Sequence, residues 1–508
     1  MLGSFTGSNV TIDFNGATLD FSALALASTD TLLMFEGAYS AGVALAGPAA
    51  ANQKTIAVPS TSFAVGDFVR IYSEKIWDST RTNTRYGELN FIETVPDAAN
   101  VALTMELQST YATAHTAKIE KLTPVRNVKY LNGRIIGPSG NDELRGFRFR
   151  LGIDCHMWGM RFEDIDYLHA QLTDCISCTV MNCHFKEANN AATAYGLSFA
   201  DASCDCLAFG NHFVDVRHSL STNNNVSNSY GIVRRIRFEL NDIRDSAKAT
   251  GGTGGDAIDT HAGAEDIDII NNTVHSSSGI GINVEAKSAR IHGNRVKHTA
   301  SVGIYFHPYS DEVGNCSIVG NRCEQIGDGS GLDPGILVAV GSVAPSRVEI
   351  NSNHVESATS EAIRVTGSAG QTLRYLALNG NICQTTNAGP ALYLRNVDSG
   401  ALAGNSVLAS AGDTGLLVED CNFIAVGVNN FKIAGSATNM YGARFIGAGT
   451  RHNVVGLTAH QSGAFTNSYG VHFADTITSS GVFCCSFPGI TTDFVLGAGS
   501  GNVQANNQ

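Results

Sequence analysis

The stretch from Asp256 to Val274, DAIDTHAGAEDIDIINNTV, decides the fold of this chain. It alternates polar and apolar residues over two short strand-like segments and ends in an Asn-Asn corner, Asn271 and Asn272. The same order of strand, turn, strand and polar corner returns downstream, in segments that end at Val296 and Cys323. Because one such unit cannot bury its apolar side chains alone and stacked copies can, the repeat predicts a solenoid.

A corner asparagine recurs along most of the chain. The predicted series is Asn182, Asn211, Asn241, Asn272, Asn294, Asn321, Asn353, Asn381, Asn405 and Asn430. Successive members are 22 to 32 residues apart, which is typical of coils with a constant cross-section and loops of variable length. Asparagine tolerates the left-handed backbone conformation, and stacked amide side chains can hydrogen-bond from coil to coil. We therefore predict an all-β chain built as a parallel β-helix.

The rhythm of the sequence changes between residues 51 and 123. Segments such as VGDFVRI and GELNFIETV alternate like antiparallel strands, but no corner asparagine accompanies them. We predict the first coils over residues 1–50, an inserted antiparallel β subdomain over 51–123, the main β-helix over 124–485, and a C-terminal cap or tail over 486–508.

Composition limits the classes of function. Among 508 residues there are 54 Gly, 10 Pro and only 16% charged residues, which suits a strand-rich and turn-rich protein. The formal net charge of -13 argues against nucleic acid as a partner, because a polyanion needs a basic surface. We find no apolar run long enough to cross a membrane and no signal peptide.

The 12 Cys invite a disulfide or zinc interpretation, above all at Cys175-Ile-Ser-Cys178. Several thiols, however, recur at about the spacing of the coils, from Cys155 to Cys206. We therefore predict that they stack inside as small hydrophobic side chains. We expect neither a cofactor nor a metal site, since nothing in the sequence indicates a structural or charge-neutralising Ca²⁺.

Alternation along the strand pattern Gly-apolar-x-apolar-x assigns each x to the outer face. The predicted outward pairs are Arg148 and Arg150, Ser198 and Ala200, Asp259 and His261, Asn283 and Glu285, Tyr305 and His307, Leu337 and Ala339, Arg364 and Thr366, and Tyr393 and Arg395. In the segment RHSLST, Leu220 is expected to point inward, with Arg217 and His218 at the start of the strand. Polar, aromatic and ionisable residues thus concentrate on consecutive coils, which predicts a binding face. Loops that end at Tyr230 and Asp256 border it.

The order RHSLST, SYGIVRR and DAIDTH, from Arg217 to His261, resembles phage tailspike and pectate-lyase-like polysaccharide-degrading proteins, as does the VGDFVRI to GELNFIETV insertion. This resemblance implies a right-handed β-helix, an extracellular or virion-associated location and a possible homotrimer. Separately, Asp259-Thr260-His261 is similar to the Asp-Pro-His motif of alginate epimerases, in which Asp and His act at the sugar C5. Here Thr260 replaces the Pro, and Asp256 stands where that motif carries a Tyr.

Cleavage of a uronate polymer by β-elimination requires a charge partner for the carboxylate, a base near C5 and an acid for the leaving oxygen. The candidates for these three roles are Arg217, Arg234 and Arg235 as charge partners, His261 and His218 as bases, and Tyr230 and Tyr305 as acids. Asp259 would orient a histidine. The candidate sugar-binding residues are Asp256, Asn283, Glu285, Tyr305 and His307.

The leading expectation is a polysaccharide lyase that acts on an acidic polysaccharide. A glycoside hydrolase would need two carboxylates drawn from Asp256, Asp259 and Glu285, and adjacent coils offer both of the usual spacings. A uronan C5-epimerase and a non-catalytic, glycan-binding tail protein remain open as further alternatives.

Overall fold

The computed structural model describes residues 3–24, 31–59, 62–138, 144–188, 194–223, 229–246, 255–329, 331–368, 370–386, 389–435, 438–462, 465–474, 476–496 and 501–505. Two compact units make up the chain. The first is Met1–Asp268 with Glu285–Lys287 and Tyr309–Asp311, and the second is Ile269–Val284, Ser288–Pro308 and Glu312–Gln508.

The first unit contains a right-handed parallel β-helix, as predicted, with three parallel sheets. Its first sheet contains Gly3–Phe5, Thr31–Glu36, Arg145–Arg150, Leu168–Thr173, Tyr195–Ala200, His218–Asn223 and Ile258–Thr260. Its second sheet contains Thr11–Asp13, Lys129–Leu131, His156–Trp158, Thr179–Met181, Leu207–Phe209 and Arg237–Glu239. Its third sheet contains Thr18–Asp20, Arg134–Ile136, Arg161–Glu163, His184–Ala188, His212–Val216 and Asp242–Arg244. Short pairs join Val125–Arg126 to Gly152–Ile153 and Val233–Arg234 to Ala264–Glu265.

Aromatic side chains fill the interior of this β-helix from coil to coil. Phe162 stacks on Phe185 at 5.3 Å between ring centroids, and Phe185 stacks on Phe213 at 4.7 Å. All three rings are fully buried. Such stacking repeats one packing solution along the sheet and supplies the hydrophobic stabilisation that a single coil lacks.

An antiparallel sheet is inserted in the first unit. It contains Ala38–Tyr39, Val43–Ala44, Thr55–Ala57, Phe68–Asp78, Arg81–Asp97, Asn100–Leu103 and Lys118–Thr123, and the 3-10 helix Thr113–His115 precedes its last strand. The sheet begins at Ala38, ahead of the predicted boundary at residue 51. It has a hydrophobic core of its own, in which Trp77, Tyr86 and Tyr111 are fully buried.

The second unit also contains three parallel sheets. The first contains Ile282–Val284, Ile304–Phe306, Ile336–Ala339, Ile363–Thr366, Leu392–Arg395, Thr414–Glu419, Asn439–Ile446, Asn467–Phe473 and Thr492–Val495. The second contains Ala289–His292, Asn315–Val319, Arg347–Asn351, Tyr375–Asn379, Gly400–Ala403, Ile424–Val426, Asn453–Val455, Gly481–Phe483 and Val503–Ala505, and the third contains Thr273–Val274, Arg295–Thr299, Arg322–Ile326, His354–Ala358, Ile382–Thr385, Ser406–Ala409, Asn429–Ile433 and Leu457–Gln461. A short pair joins Gly449–Thr450 to Ile477–Thr478, and the strand Ile267–Ile270 contributes residues to both units.

Buried asparagines form the predicted ladder within each unit. In the first unit, the backbone N–H and the side-chain amide of Asn211 both donate to Oδ1 of Asn241, each at 3.0 Å. In the second unit, the same pattern links Asn272, Asn294, Asn321, Asn353, Asn381, Asn405 and Asn429. Each amide therefore satisfies buried polar groups of the neighbouring coil.

Three details of the predicted ladder are wrong. Asn182 is exposed, and Cys183 occupies its register, since the backbone N–H of Cys183 donates to Asn211 at 2.9 Å. At the other end the ladder residue is Asn429, because Asn430 is exposed. The left-handed conformation belongs to the residue before the ladder position, as at Asn271 with φ 54°. The amides are therefore selected for hydrogen bonding, and the residue before them for backbone conformation.

The described cysteines are buried, with the exception of Cys484, as the stacking interpretation predicts. The pair Cys484 and Cys485 is divided between the exposed and buried sides. No helix within the described ranges is long and apolar enough to cross a membrane.

Candidate functional site

In the first unit, the carboxylate of Asp259 lies between two imidazoles. Oδ2 of Asp259 is 3.3 Å from Nδ1 of His218 and 3.4 Å from Nε2 of His261. The strands His218–Asn223 and Ile258–Thr260 are neighbours in the first sheet, with Ser221 opposite Asp259. The predicted inward position of Leu220 is confirmed, since that side chain is fully buried. Strand pairing thus brings His218 close to Asp259 and His261, which lie about 40 positions later in the sequence.

His218 is held at the first position of its strand. Its Nδ1 is 3.2 Å from the backbone oxygen of Asp256, and its ring is 4% exposed. Burial lowers the pKa of His218 well below its usual value, and the charges of Arg217 and His261 lower it further. The imidazole is therefore neutral at pH 7, which is the form that can accept a proton.

His261 follows the strand Ile258–Thr260 rather than lying within it. Its backbone N–H donates to Thr222, to the carbonyl oxygen and to Oγ1, both at 3.2 Å. This anchor fixes the backbone, while the side chain remains 12% exposed. Of the two imidazoles, that of His261 is the more accessible to a ligand.

Tyr195 completes this cluster, and the sequence analysis missed it. It lies opposite His218 in the neighbouring strand, and the two rings stack at 5.1 Å between centroids. The rings of Tyr195 and His261 meet edge to face, with 6.1 Å between their centroids. Burial raises the pKa of Tyr195, and the carboxylate of Asp259 raises it further, so the phenol keeps its proton. The alignment of Tyr195-Gly-Leu with His218-Ser-Leu could have identified Tyr195 from the sequence as the neighbour of His218.

Arg217 adds a positive charge beside this group. Its side chain is only 6% exposed, and its charge lowers the pKa of both Tyr195 and His218. Its backbone oxygen accepts a hydrogen bond from Ser246 at 2.7 Å. The residues Arg217, His218, Asp259, His261 and Tyr195 are named the Asp259 cluster below.

Tyr230 does not join the Asp259 cluster. Its short strand, Ser229–Tyr230, pairs with the inserted sheet, where Tyr230 lies opposite Arg85. The hydroxyl donates to Glu74 at 2.5 Å, and the ring lies 4.9 Å from that of Tyr72. The acid role predicted for Tyr230 has no support in this placement.

Arg234 and Arg235 are likewise held by carboxylates of the first unit. Arg234 is 3% exposed, and its Nε is 3.0 Å from Glu265. A further hydrogen bond from Arg234 to Ser109, at 2.9 Å, ties the β-helix to the inserted sheet. Arg235 has a left-handed backbone with φ 51° and pairs with Asp205 at 2.6 Å. Both guanidinium groups are therefore paired with carboxylates of the protein itself.

Glu285 is also engaged by the protein backbone. It is 5% exposed, and its Oε2 accepts a hydrogen bond from the N–H of Ala262 at 3.0 Å. Its own N–H donates to Oγ1 of Thr260 at 3.0 Å. Glu285 therefore braces the turn that follows His261.

The remaining predicted residues, Asn283, Tyr305 and His307, lie together in the second unit. Asn283 and Tyr305 are opposite each other in neighbouring strands, as the sequence alignment predicts. Nε2 of His307 is 2.7 Å from Oδ1 of Asn283, and its ring stacks on Tyr305 at 3.8 Å. The stacked pair is half-buried, so it presents a planar edge and a polar group at the surface.

Among the described residues, the group that could hold a metal ion is His218, Asp256 and Asp259. Their ligand atoms lie within 4.8 Å of one another. One nitrogen and two carboxylates would suit a divalent cation. However, Nδ1 of His218 is within hydrogen-bond distance of two oxygen acceptors, which suits an N–H donor rather than a ligand lone pair.

Comparison with known proteins supports the fold. Residues 219–382 match the family described as the right handed beta helix region. A search of curated proteins found no match to this sequence. The class that fold and family match define is the right-handed parallel β-helix.

Three solved structures with this fold are phage tailspikes. The tailspike protein gp49 from Pseudomonas phage LKA1 is 17% identical with a TM-score of 0.60, and the match covers 83% of this chain and 71% of that one. Tailspike gp61 from Pseudomonas phage phi297 is 14% identical with a TM-score of 0.54, covering 89% and 67%. The gp54 tailspike of Acinetobacter baumannii bacteriophage AP22, solved with A. baumannii capsular saccharide, is 13% identical with a TM-score of 0.50, covering 94% and 73%.

Proposed function

We propose that the protein is a polysaccharide lyase that cleaves an acidic, uronate-containing polysaccharide by β-elimination at the Asp259 cluster. The observation that carries this proposal is the carboxylate of Asp259 shared by two imidazoles, one of which stacks on a protonated tyrosine. An imidazole base and a phenol acid in one cluster are what β-elimination requires. The capsular saccharide bound by the AP22 tailspike supports a polysaccharide as the substrate class.

In the proposed reaction, His261 removes the C5 proton of a uronate, because it is the more exposed of the two histidines. The electron pair of that C–H bond forms the C4–C5 double bond, and the bond from C4 to the glycosidic oxygen breaks. Tyr195 donates its proton to the leaving oxygen. Proton transfer from His261 to Tyr195, directly or through water, restores both groups.

The other members of the cluster position these two groups and balance charge. Asp259 orients the rings of His218 and His261, since an imidazole is most effective when a partner holds one nitrogen. Arg217 would neutralise the uronate carboxylate and thereby lower the barrier to removal of the adjacent proton. We propose that no metal takes part, because Nδ1 of His218 is committed to hydrogen bonds.

A retaining glycoside hydrolase is the second candidate. One observation favours it: carboxylate oxygens of Asp256 and Asp259 lie within 4.8 Å of each other. Retaining hydrolases use two carboxyl groups about 5 to 5.5 Å apart, one as nucleophile and one as acid. The buried position of Asp259, at 3% exposure, and its two histidine partners favour the lyase instead.

Product analysis tests the proposal. Purified protein is incubated with a panel of uronate-containing and neutral polysaccharides, including capsular material. New ultraviolet absorbance from an unsaturated uronate supports the lyase, whereas reducing ends without that absorbance would establish the hydrolase. Uronate of changed configuration in a chain of unchanged length would establish an epimerase. Intact polysaccharide that stays bound to the protein would establish a binding protein.

We further propose that the protein is a virion-associated homotrimer. The three tailspikes of similar fold support this location. The acidic balance of the chain, with a net charge of -13, leaves nucleic acid out of the proposed partners. Light scattering coupled to gel filtration would give three times the chain mass of 53.5 kDa if the proposal holds.

A further inference from the structure

Three arginines extend from one strand of the first unit, Arg145–Arg150. Arg148 and Arg150 lie on the outer face as predicted, and Arg145 begins the strand. The guanidinium of Arg145 lies over the ring of Tyr167 at 5.0 Å, and that of Arg150 over Tyr39 at 4.6 Å. All three side chains are partly exposed.

Arg145 and Arg148 lack carboxylate partners in the described part of the chain. Nε of Arg148 donates to the hydroxyl of Thr173 at 3.2 Å, and the charge of Asp201 raises the pKa of Arg148. Burial lowers the pKa of Arg148, as do the charges of Arg150 and Arg145. Arg150, in contrast, has Glu36 at 3.7 Å. Arg145 and Arg148 thus place like charges near each other, and an anion bound beside them would relieve this repulsion.

A row of polar residues connects this strand with the Asp259 cluster. The pairing of neighbouring strands places Arg148, Gln171, Ser198, Ser221 and Asp259 in one register. Four steps between strands, at about 4.8 Å each, separate Arg148 from Asp259 by about 19 Å. The strand of arginines and the Asp259 cluster therefore lie along one line across the sheet.

The middle of this row contains polar groups that lack partners. Ser198 and Ser221 are fully buried, and among the described residues their hydroxyl oxygens have no hydrogen-bond partner. Buried hydroxyl groups are nearly always hydrogen-bonded in folded proteins. The row therefore connects the cationic end of the sheet with the Asp259 cluster through buried polar side chains.

We propose that Arg145 and Arg148 form a distal subsite that binds a carboxylate of the polysaccharide chain while another part of that chain lies at the Asp259 cluster. This inference rests on the proposed function and deepens it, because it commits the ligand to an anionic saccharide longer than a disaccharide. A guanidinium matches a carboxylate through two hydrogen bonds, and the pair can therefore select uronate over neutral sugars.

Calorimetric binding tests this subsite in a protein that carries His261→Ala, so that cleavage is slow during the titration. The probes are the galacturonate hexamer, the mannuronate hexamer and, as a neutral probe, maltohexaose. Adding Arg145→Gln and Arg148→Gln should weaken binding of a uronate hexamer by at least about tenfold, the loss expected for one charge-assisted hydrogen bond. Arg244→Gln is the matched control, since this exposed arginine of the same unit already pairs with Asp242.

The inference is overturned if neither uronate hexamer binds, if the double substitution leaves affinity unchanged, or if maltohexaose binds as tightly as the uronates. Melting temperatures of the variants establish that the fold is retained. Failure of the proposed function has a different signature: arginine-dependent binding of a uronate hexamer would persist while the wild-type protein cleaves no polysaccharide. Cleavage of the polysaccharide, together with an affinity that does not depend on Arg145 and Arg148, would support the proposed function and overturn this inference.

Discussion

Asp259 and His261 are two positions apart in the chain, and Oδ2 of the first lies 3.4 Å from Nε2 of the second. The same oxygen lies 3.3 Å from His218, so one carboxylate orients two imidazoles. Burial leaves Asp259 only 3% exposed, and hydrogen bonds to a charged partner are strongest in such surroundings. Burial and strand pairing therefore position the members of the cluster, which suits catalysis by positioned groups.

His261→Ala should lower kcat by about 10² to 10⁴, the usual contribution of a positioned general base. The fold should not change, because the side chain is partly exposed and its backbone hydrogen bonds to Thr222 remain. Initial rates on the polysaccharide that the screen identifies, together with the melting temperature, measure both effects.

The matched control for this substitution is His156→Ala. His156 is a half-buried histidine of the same unit that contacts Thr179 at 2.6 Å, in the second sheet. Its replacement should leave kcat unchanged. Near-wild-type turnover by His261→Ala would remove His261 from the mechanism, and equal losses in both variants would point to a general effect on folding.

Chelation should leave the activity intact. His218, Asp256 and Asp259 approach one another closely enough to hold a cation, yet Nδ1 of His218 faces two oxygen acceptors. We therefore expect full activity after dialysis against EDTA and no stimulation by added Ca²⁺ or Mn²⁺. Loss of activity that Ca²⁺ restores would instead make these three residues metal ligands and would assign Asp259 a different role.

His169 should make the protein less stable in acid. It is fully buried beside the stacked rings of Phe162 and Phe185, and burial lowers its pKa to about 3. The unfolded chain takes up this proton near pH 6.5, whereas the folded chain does not. Stability should therefore fall as the pH drops from about 6.5 towards 3, by about 1.4 kcal/mol per pH unit for this one group.

Urea titrations between pH 7.5 and 4.5 measure this effect. His169→Leu places an apolar side chain beside the two phenylalanines and removes the titration. The pH dependence of its unfolding free energy should therefore be smaller than that of the wild type, by the uptake of about one proton. His156→Ala, half-buried, is the control for loss of a histidine as such. An identical pH dependence in wild type and His169→Leu would mean that His169 is protonated in the folded state.

Much of the fold could be predicted because the β-helix repeats its chemistry. The apolar alternation and the corner asparagines are local signals. When the coils stack, equivalent residues of successive coils line up, so one local pattern predicts many contacts. The exceptions are single positions. Leu240, with φ 55° and 49% exposure, occupies the left-handed position that glycine occupies at Gly210. Leucine has no propensity for that conformation, so no local pattern could identify the site.

The candidate site was harder to predict, since it depends on partners distant in sequence. Alternation placed Asp259 and His261 on the outer face, but it could not reveal that Arg234 is neutralised by Glu265 or that Tyr230 donates to Glu74. The contacts of Tyr230 and Arg234 depend on where the inserted sheet docks, and no periodicity encodes this. Tyr195 was missed because it precedes the glycine from which the strand pattern was read.

Asn429 and Asn430 allow a direct test of the ladder within one dipeptide. Oδ1 of Asn429 accepts hydrogen bonds from the backbone and side chain of Asn405, at 2.9 and 2.8 Å. Asn429→Leu leaves both donors buried without an acceptor and should cost at least about 2 kcal/mol of unfolding free energy. Asn430→Leu, at an exposed position, should change it by no more than about 0.5 kcal/mol.

Urea unfolding followed by far-ultraviolet circular dichroism measures both free energies. The order of the two effects is the informative result, because both variants replace the same residue type by leucine in the same strand. Equal stabilities would show that the amide ladder contributes no net stabilisation beyond side-chain packing. A larger loss of stability in Asn430→Leu would indicate that this strand of the third sheet is shifted by one residue, because such a shift exchanges the buried and exposed faces of a strand.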